Sequence, residues 1–259
     1  MYRIEHWNQL QSMIKGNILE KFYDDLIEYI TKNTKKKQII AKGTKFYRAR
    51  EFDVNKNNIA FNSSFEGYNE EGSLAPNPEY VKEPGRVNKI GESVLYIAED
   101  IYTAMAEKRP GKRQTISIAE VELKENIRVF EFEFLGNGGY QDTIKQIYHE
   151  MALEFYRTVN VDKENGYLVT QYIAKKIKEL DFDGIKYSSS LSEKGMNLVI
   201  FNPKLAKANN SKTYLIQSVL YFAEKHHSIG DYERLLPKTI IEKFTPKEIE
   251  YFFNRMKQE

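Results

Sequence analysis

The chain has no cysteine and a single tryptophan among its 259 residues. Without thiols there can be no disulfide, no thiolate metal site and no cysteine nucleophile. A chain built this way fits a reducing cytoplasm. It also lacks a strong charge of either sign, with 39 basic residues meeting 37 acidic ones for a net +2. The basic runs at 35–37 and 175–178 are short and local. They read as solvated edges of helices and loops, so no nucleic-acid partner is expected. No apolar run reaches the length that crosses a bilayer. The opening MYRIEHWNQLQSMIKGN has no short apolar core of a signal peptide. A soluble, cytoplasmic protein with no membrane partner is expected. Missing too are a GxGxxG or P-loop string to cradle phosphates and any HExxH-type spacing. His6, His149, His226 and His227 stand apart from such patterns, and no metal is expected. What is present is 41% apolar residues, with 18 tyrosines and 15 phenylalanines. That is enough to bury a sizeable core in one large domain.

The periodicity predicts an N-terminal helical run over residues 7–30, with Leu10, Met13, Ile14, Ile18, Phe22, Leu26 and Ile30 at helical spacing and Gly16 weakening it locally. A basic segment at 32–37 then leads into a strand at 45–51. Residues 62–88 show no period and are rich in Asn, Glu, Gly and Pro, which reads as a functional loop over a pocket. Strands are predicted at 93–98, 115–123 and 127–134, with a parity shift between Ile118 and Val121 that signals a bulge. Two amphipathic helices follow, one carrying Ile144, Ile147, Tyr148, Met151 and Phe155, the other Val169, Ile173, Ile177 and Leu180. Strands at 184–187 and 197–202 close the pattern, and beyond Pro203 it turns helical again. The string TPKE at 245–248 is a helix start, with a cap, an early proline and a capping-box glutamate. The order of elements does not alternate regularly, so a doubly wound parallel sheet is not expected. The division reads as a helical element at 1–40, a mixed-sheet domain at 41–205 and a helical extension at 206–259.

Several polar residues fall at the ends of these strands. Arg48 lies in KFYRARE, Arg86 in PGRVN, Tyr96 at the end of SVLYIA, and Glu107 on the helix-like run that follows, with Asp100 and Thr103 near its start. Ser188, Ser189 and Ser190 form a cluster after a later strand. An arginine, a tyrosine, a glutamate and a serine so gathered suit an anionic, ring-bearing substrate on which positive charge develops. Arg48, flanked by Phe46 and Tyr47, must be paired if buried. Its partner is either a buried carboxylate or a pyrophosphate, which suits a planar guanidinium. Arg50 shares a face with Arg48 by strand period, opposite Tyr47.

The order FYRAR, GRVN, LYIAEDIYTAMAE, DGIKYSS and NLVIF resembles the RES family of bacterial toxins over residues 44–203. The resemblance implies an α+β, ADP-ribosyltransferase-like mixed-sheet core with helical extensions at both ends. It also implies action on NAD as substrate and a cognate antitoxin as partner. Cleaving the nicotinamide–ribose bond gives an oxocarbenium-like transition state, which a carboxylate stabilises. Glu107, with Tyr96 eleven residues before it, takes that role. Arg48 and Arg86 become phosphate candidates, and Tyr47 and Tyr96 can stack on a ring. Ser189, from the tyrosine-x-serine pattern, would hydrogen-bond substrate without attacking it. Asn197 matches the asparagine before the closing strand and would hold that region. Two departures stand out. The stretch APNPEYVKEPGR lacks adjacent prolines, and Ser188 replaces a proline, which puts loop geometry and acceptor choice in question. Phosphate, water or a protein side chain could each attack the ribose. An inactive interaction module is the alternative of another class, and the intact set of Arg48, Tyr96, Glu107 and Ser189 argues against it.

Overall fold

The alternation KFYRARE and the nine-residue run TISIAEVEL form neighbouring antiparallel strands with the boundaries the sequence predicts, β2 (Lys45–Glu51) and β4 (Thr115–Leu123). A computed structural model describes residues 21–57, 63–134, 143–157 and 166–219. All of them fall in one compact unit. The remaining strands are β1 (Lys37–Ile40), β3 (Leu95–Ala98), β5 (Ile127–Phe132), β6 (Gly184–Ser188), β7 (Met196–Ile200) and β8 (Ala206–Leu215). Together they make one eight-stranded sheet in the order β1-β5-β6-β7-β3-β2-β4-β8. The β5–β6 pair is parallel and the others are antiparallel. The class is α+β, as expected.

The helices are α1 (Lys21–Asn33), α2 (Glu70–Ser73), α3 (Ile101–Ala106), α4 (Thr143–Tyr156) and α5 (Leu168–Glu179). α1, α4 and α5 cover one face of the sheet. Ile27 and Ile30 meet Met151, Phe155, Ile173 and Ile177 over Phe130, Phe132, Ile185 and Val199. Asp24 fixes α1 to α5, accepting hydrogen bonds from Lys176 Nζ at 2.8 Å and from the Tyr172 hydroxyl. The opposite face buries Phe46, Leu95, Ile97, Val121 and Leu198. α3 packs Ala104, Ile101 and Met105 over Tyr47, Ala49, Ala98 and Ile118. β2 and β3 pair only at Tyr47–Ala98, so the sheet has a seam there.

Three expectations are corrected. Residues 206–215 are not helical: they form β8, whose buried Ala206, Ala208 and Ser211 face inward while the strand supplies β4 with its outer partner. Pairing overrides weak local preference here. The segment at 32–37 does not run as a linker straight to β2, because residues 37–40 pair with β5 as β1. The loop at 62–88 is not free of regular structure: Asn69 caps α2, its Oδ1 accepting from the Gly72 N–H at 2.8 Å. The anticipated bulge is present, as a register shift between Glu120 and Val121 against β8. The predicted helix at 245–256, the start of the N-terminal run, and His6, His226 and His227 lie outside the described residues. Among the described residues no helix is long and apolar enough to cross a membrane.

Candidate functional site

The site is built around Glu107, which stands just past the last turn of α3 in helical conformation, at φ −61° and ψ −21°. Asp100 starts that helix. One of its carboxylate oxygens accepts from the Thr103 N–H at 2.9 Å and the other from the Thr103 hydroxyl at 2.6 Å. The Glu107 N–H donates to the Thr103 carbonyl at 3.1 Å, so the glutamate's position follows from the cap. Its Oε1 accepts two hydrogen bonds, from Ser189 Oγ at 2.7 Å and Asn197 Nδ2 at 2.6 Å. Hydrogen bonds to a carboxylate are the strong kind. Oε2 receives no hydrogen bond from any described residue, and the residue is exposed.

The two donors come from adjacent strands. Asn197 on β7 lies opposite Tyr187 on β6 and Ala98 on β3, which turns it toward the helical face. Ser189 follows β6 and is buried. Its N–H donates to Gly195 O at 2.8 Å, and its Oγ accepts from the Leu191 N–H at 3.1 Å. The loop 189–195 then closes against α3, with the Thr103 and Ser192 hydroxyls 3.0 Å apart. Gly195 makes that approach possible, because a Cβ there would stand 2.4 Å from Thr103 Oγ1. Of the other two serines, Ser188 accepts from the Phe134 N–H at 3.0 Å. It is Ser189 that the structure brings to the carboxylate.

A second group surrounds Tyr96. Its hydroxyl donates to Asn88 Oδ1 at 2.8 Å and accepts from the Val87 N–H at 3.2 Å. Burial pushes its pKa up, with the Val87 N–H and then the Arg86 charge opposing. Gly85 packs against this hydroxyl so closely that a Cβ would lie 2.5 Å from it. Arg86 donates through Nη1 to the Glu154 carbonyl at 3.3 Å and through Nη2 to the Arg157 carbonyl. It therefore ties its loop to the end of α4, where the helix carbonyls favour a cation.

Sequence reasoning missed Gln171. This buried amide on α5 donates through Nε2 to the carbonyls of Gly85 and Asn88, both at 2.8 Å. The available signal was a lone amide inside the run LVTQYIA, which is otherwise apolar or aromatic except for Thr170. Gln171→Leu would leave the Gly85 carbonyl unmet and the Asn88 carbonyl with only the Gly85 N–H, at a cost of about 2 kcal/mol. A lowered thermal midpoint with retained helical circular dichroism is the expected result. An unchanged midpoint would show that the loop does not depend on this clamp.

Arg48 and Arg50 are not brought onto the carboxylate. By strand alternation they share the face of Phe46, opposite Tyr47. Tyr47 packs beside Ala98 and Ala104, under the helix that carries Glu107. Arg50 donates to the Gly72 carbonyl and lies 4.3 Å over the Tyr68 ring. Among the described residues Arg48 reaches only the Ser73 carbonyl, at 3.4 Å, and no described carboxylate pairs with it. Burial, then the Arg50 guanidinium, pull its pKa down to about 10. Lys108 is lowered as well, by burial and then by Arg48. It feels Arg50, Glu51 and Glu107 too, so this cationic group lies within electrostatic reach of the carboxylate. Among the described residues no cluster of three His, Asp or Glu could hold a metal ion.

A family model described as RES domain matches residues 46–223. Among solved structures, the crystal structure of the M. tuberculosis MbcT–MbcA toxin–antitoxin complex is similar at 12% identity and a TM-score of 0.40, the match covering 76% of this chain and 93% of that one. No curated protein matches the sequence.

Proposed function

The chain belongs to the RES domain family, and from that premise we propose that it is a toxin that consumes NAD by cleaving the bond between nicotinamide and ribose. One observation carries this reading: a carboxylate fixed on one oxygen by Ser189 and Asn197 and free on the other. Nicotinamide leaves neutral from a cationic ring, so general-acid help matters little. What the reaction needs is negative charge beside a ribose carbon that becomes cationic. Glu107 Oε2 supplies that charge and an acceptor for the ribose hydroxyls. Two fixed donors hold the group in place beforehand, so little reorganisation accompanies reaction.

In this reading Ser189 and Asn197 act through Glu107, since Ser189 gives its one proton to the carboxylate. Arg48, without a carboxylate partner and beside Arg50 and Lys108, takes the pyrophosphate. Tyr47 and Tyr96 offer ring faces, the Tyr96 hydroxyl being engaged by Asn88. Arg86, with two of its nitrogens on carbonyls, sets the loop and adds positive potential. An oxygen nucleophile attacks the ribose carbon as the carbon–nitrogen bond breaks and its electron pair returns to the pyridine ring. Phosphate gives ADP-ribose phosphate, and water gives ADP-ribose and a proton. A cognate antitoxin as protein partner, and the cytoplasm, where NAD is abundant, complete the reading.

The test is a time course of NAD with purified protein, with and without inorganic phosphate, the products resolved by mass. NAD loss with a phosphorylated ADP-ribose only when phosphate is present establishes phosphorolysis. ADP-ribose in both tubes establishes hydrolysis. NAD intact in both tubes overturns the reading.

A further inference from the structure

Tyr187 at the end of β6 is 5% exposed, yet its hydroxyl has no hydrogen-bond partner among the described residues. Tyr148 and Tyr172 are buried to a similar degree, at 8% each, and both are partnered. Tyr148 donates to Glu131 O and accepts from the Glu133 N–H, each at 2.9 Å, and Tyr172 donates to Asp24. Native folds rarely leave a buried hydroxyl unmet, and such an exception calls for a specific cause.

The location supplies the cause. Tyr187 lies directly opposite Asn197 in the β6–β7 register, so the phenol stands beside the amide that holds Glu107. Its ring packs 5.7 Å from that of Phe155 in the core, and Ser189 is two residues further along. The charged and phenolic groups that the hydroxyl feels are Arg86, Tyr96 and Glu107 of the site, and Tyr167, whose ring lies 5.9 Å from the Arg86 guanidinium. Burial raises its pKa, so the proton stays on oxygen at neutral pH and the group is a donor.

We propose that Tyr187 is a further substrate-binding residue, whose hydroxyl donates a hydrogen bond to an uncharged acceptor oxygen of the ligand beside Glu107. The inference rests on the NAD reading and deepens it. Glu107 is an acceptor and suits the ribose hydroxyls. The cationic group of Lys108, Arg48 and Arg50, within electrostatic reach of Glu107, suits phosphate. A phenol rising from an aromatic wall suits the remaining kind of group, the carboxamide oxygen of the leaving nicotinamide ring. The protein then holds a donor open until substrate arrives, at some cost to its ligand-free stability.

The variant Tyr187→Phe tests this with two readouts. The Michaelis constant for NAD should rise about fivefold to tenfold, the range for one lost neutral hydrogen bond, with turnover number little altered. The ligand-free melting midpoint should stay level or rise, because the variant removes an unmet polar group. A purely structural hydroxyl would do the reverse, lowering the midpoint and leaving the Michaelis constant unchanged. Either of those two results overturns the assignment while wild-type activity stands. A wild-type protein that leaves NAD intact overturns the NAD reading first and the assignment with it.

Discussion

Glu107→Gln is expected to slow NAD consumption about a thousandfold, the scale on which a preorganised electrostatic group acts, while the fold persists. The glutamine carbonyl can still accept from Ser189 and Asn197, which now bond to Oε1 at 2.7 and 2.6 Å. Shape and both hydrogen bonds survive, and only the charge is lost. Initial rates at saturating NAD and a melting curve on the same preparation check both halves of the statement. Activity within tenfold of wild type would remove the charge from the mechanism. A collapsed melting transition would mean that the carboxylate holds the loop 189–195 in place and is not chiefly chemical.

The largest effect on stability is expected at Gly184. A Cβ there would lie 2.3 Å from the Val199 carbonyl oxygen and 3.3 Å from its carbonyl carbon. The obstacle is backbone and has no rotamer to yield. Val199 is paired on its other side with Tyr96 of β3, so β7 cannot retreat without loosening that ladder. Gly184→Ala should therefore cost about 3 kcal/mol or more, a large part of a typical domain's 5–15 kcal/mol. The thermal midpoint should fall by roughly 6–12 °C for a chain of this size. A midpoint within a degree of wild type would show that β6 can shift away from β7.

Much of this architecture was legible beforehand, for physical reasons that differ by element. β2 and β4 were readable because one residue in two is apolar and the flanks are polar. α4 and α5 were readable from stripes such as Val169, Ile173 and Ile177. β8 was not, because AKANNSKTYL has few large apolar residues and is held by pairing with β4. β1 was obscured by Lys37 and the two lysines before it, which suit the approach to an edge strand as well as a linker. Within the site, Glu107, Ser189 and Asn197 were named from motif order, and the structure joins them through one oxygen. What the motif could not tell is that Arg48 faces the other side of the sheet. Strand parity contained that fact, since Arg48 alternates with Tyr47, but the relation of β2 to β3 appears only once the strands are paired. Asn88 ends the GRVN string, but its role against Tyr96 shows only in the fold, and the two carbonyls that Gln171 clamps lie more than eighty residues before it in the chain.

α3 lies across the seam where β2 and β3 share the single Tyr47–Ala98 pair, and its apolar side touches both halves of the sheet. The short helix that delivers Glu107 is therefore also the clasp between the strands bearing the carboxylate's ligands and those bearing the arginines. If the chain acts as proposed, genetic selections for loss of NAD consumption should accordingly recover Ala104 and Met105 alongside Glu107. Such hits would mark the hinge pin of the molecule, although neither side chain need ever meet the substrate.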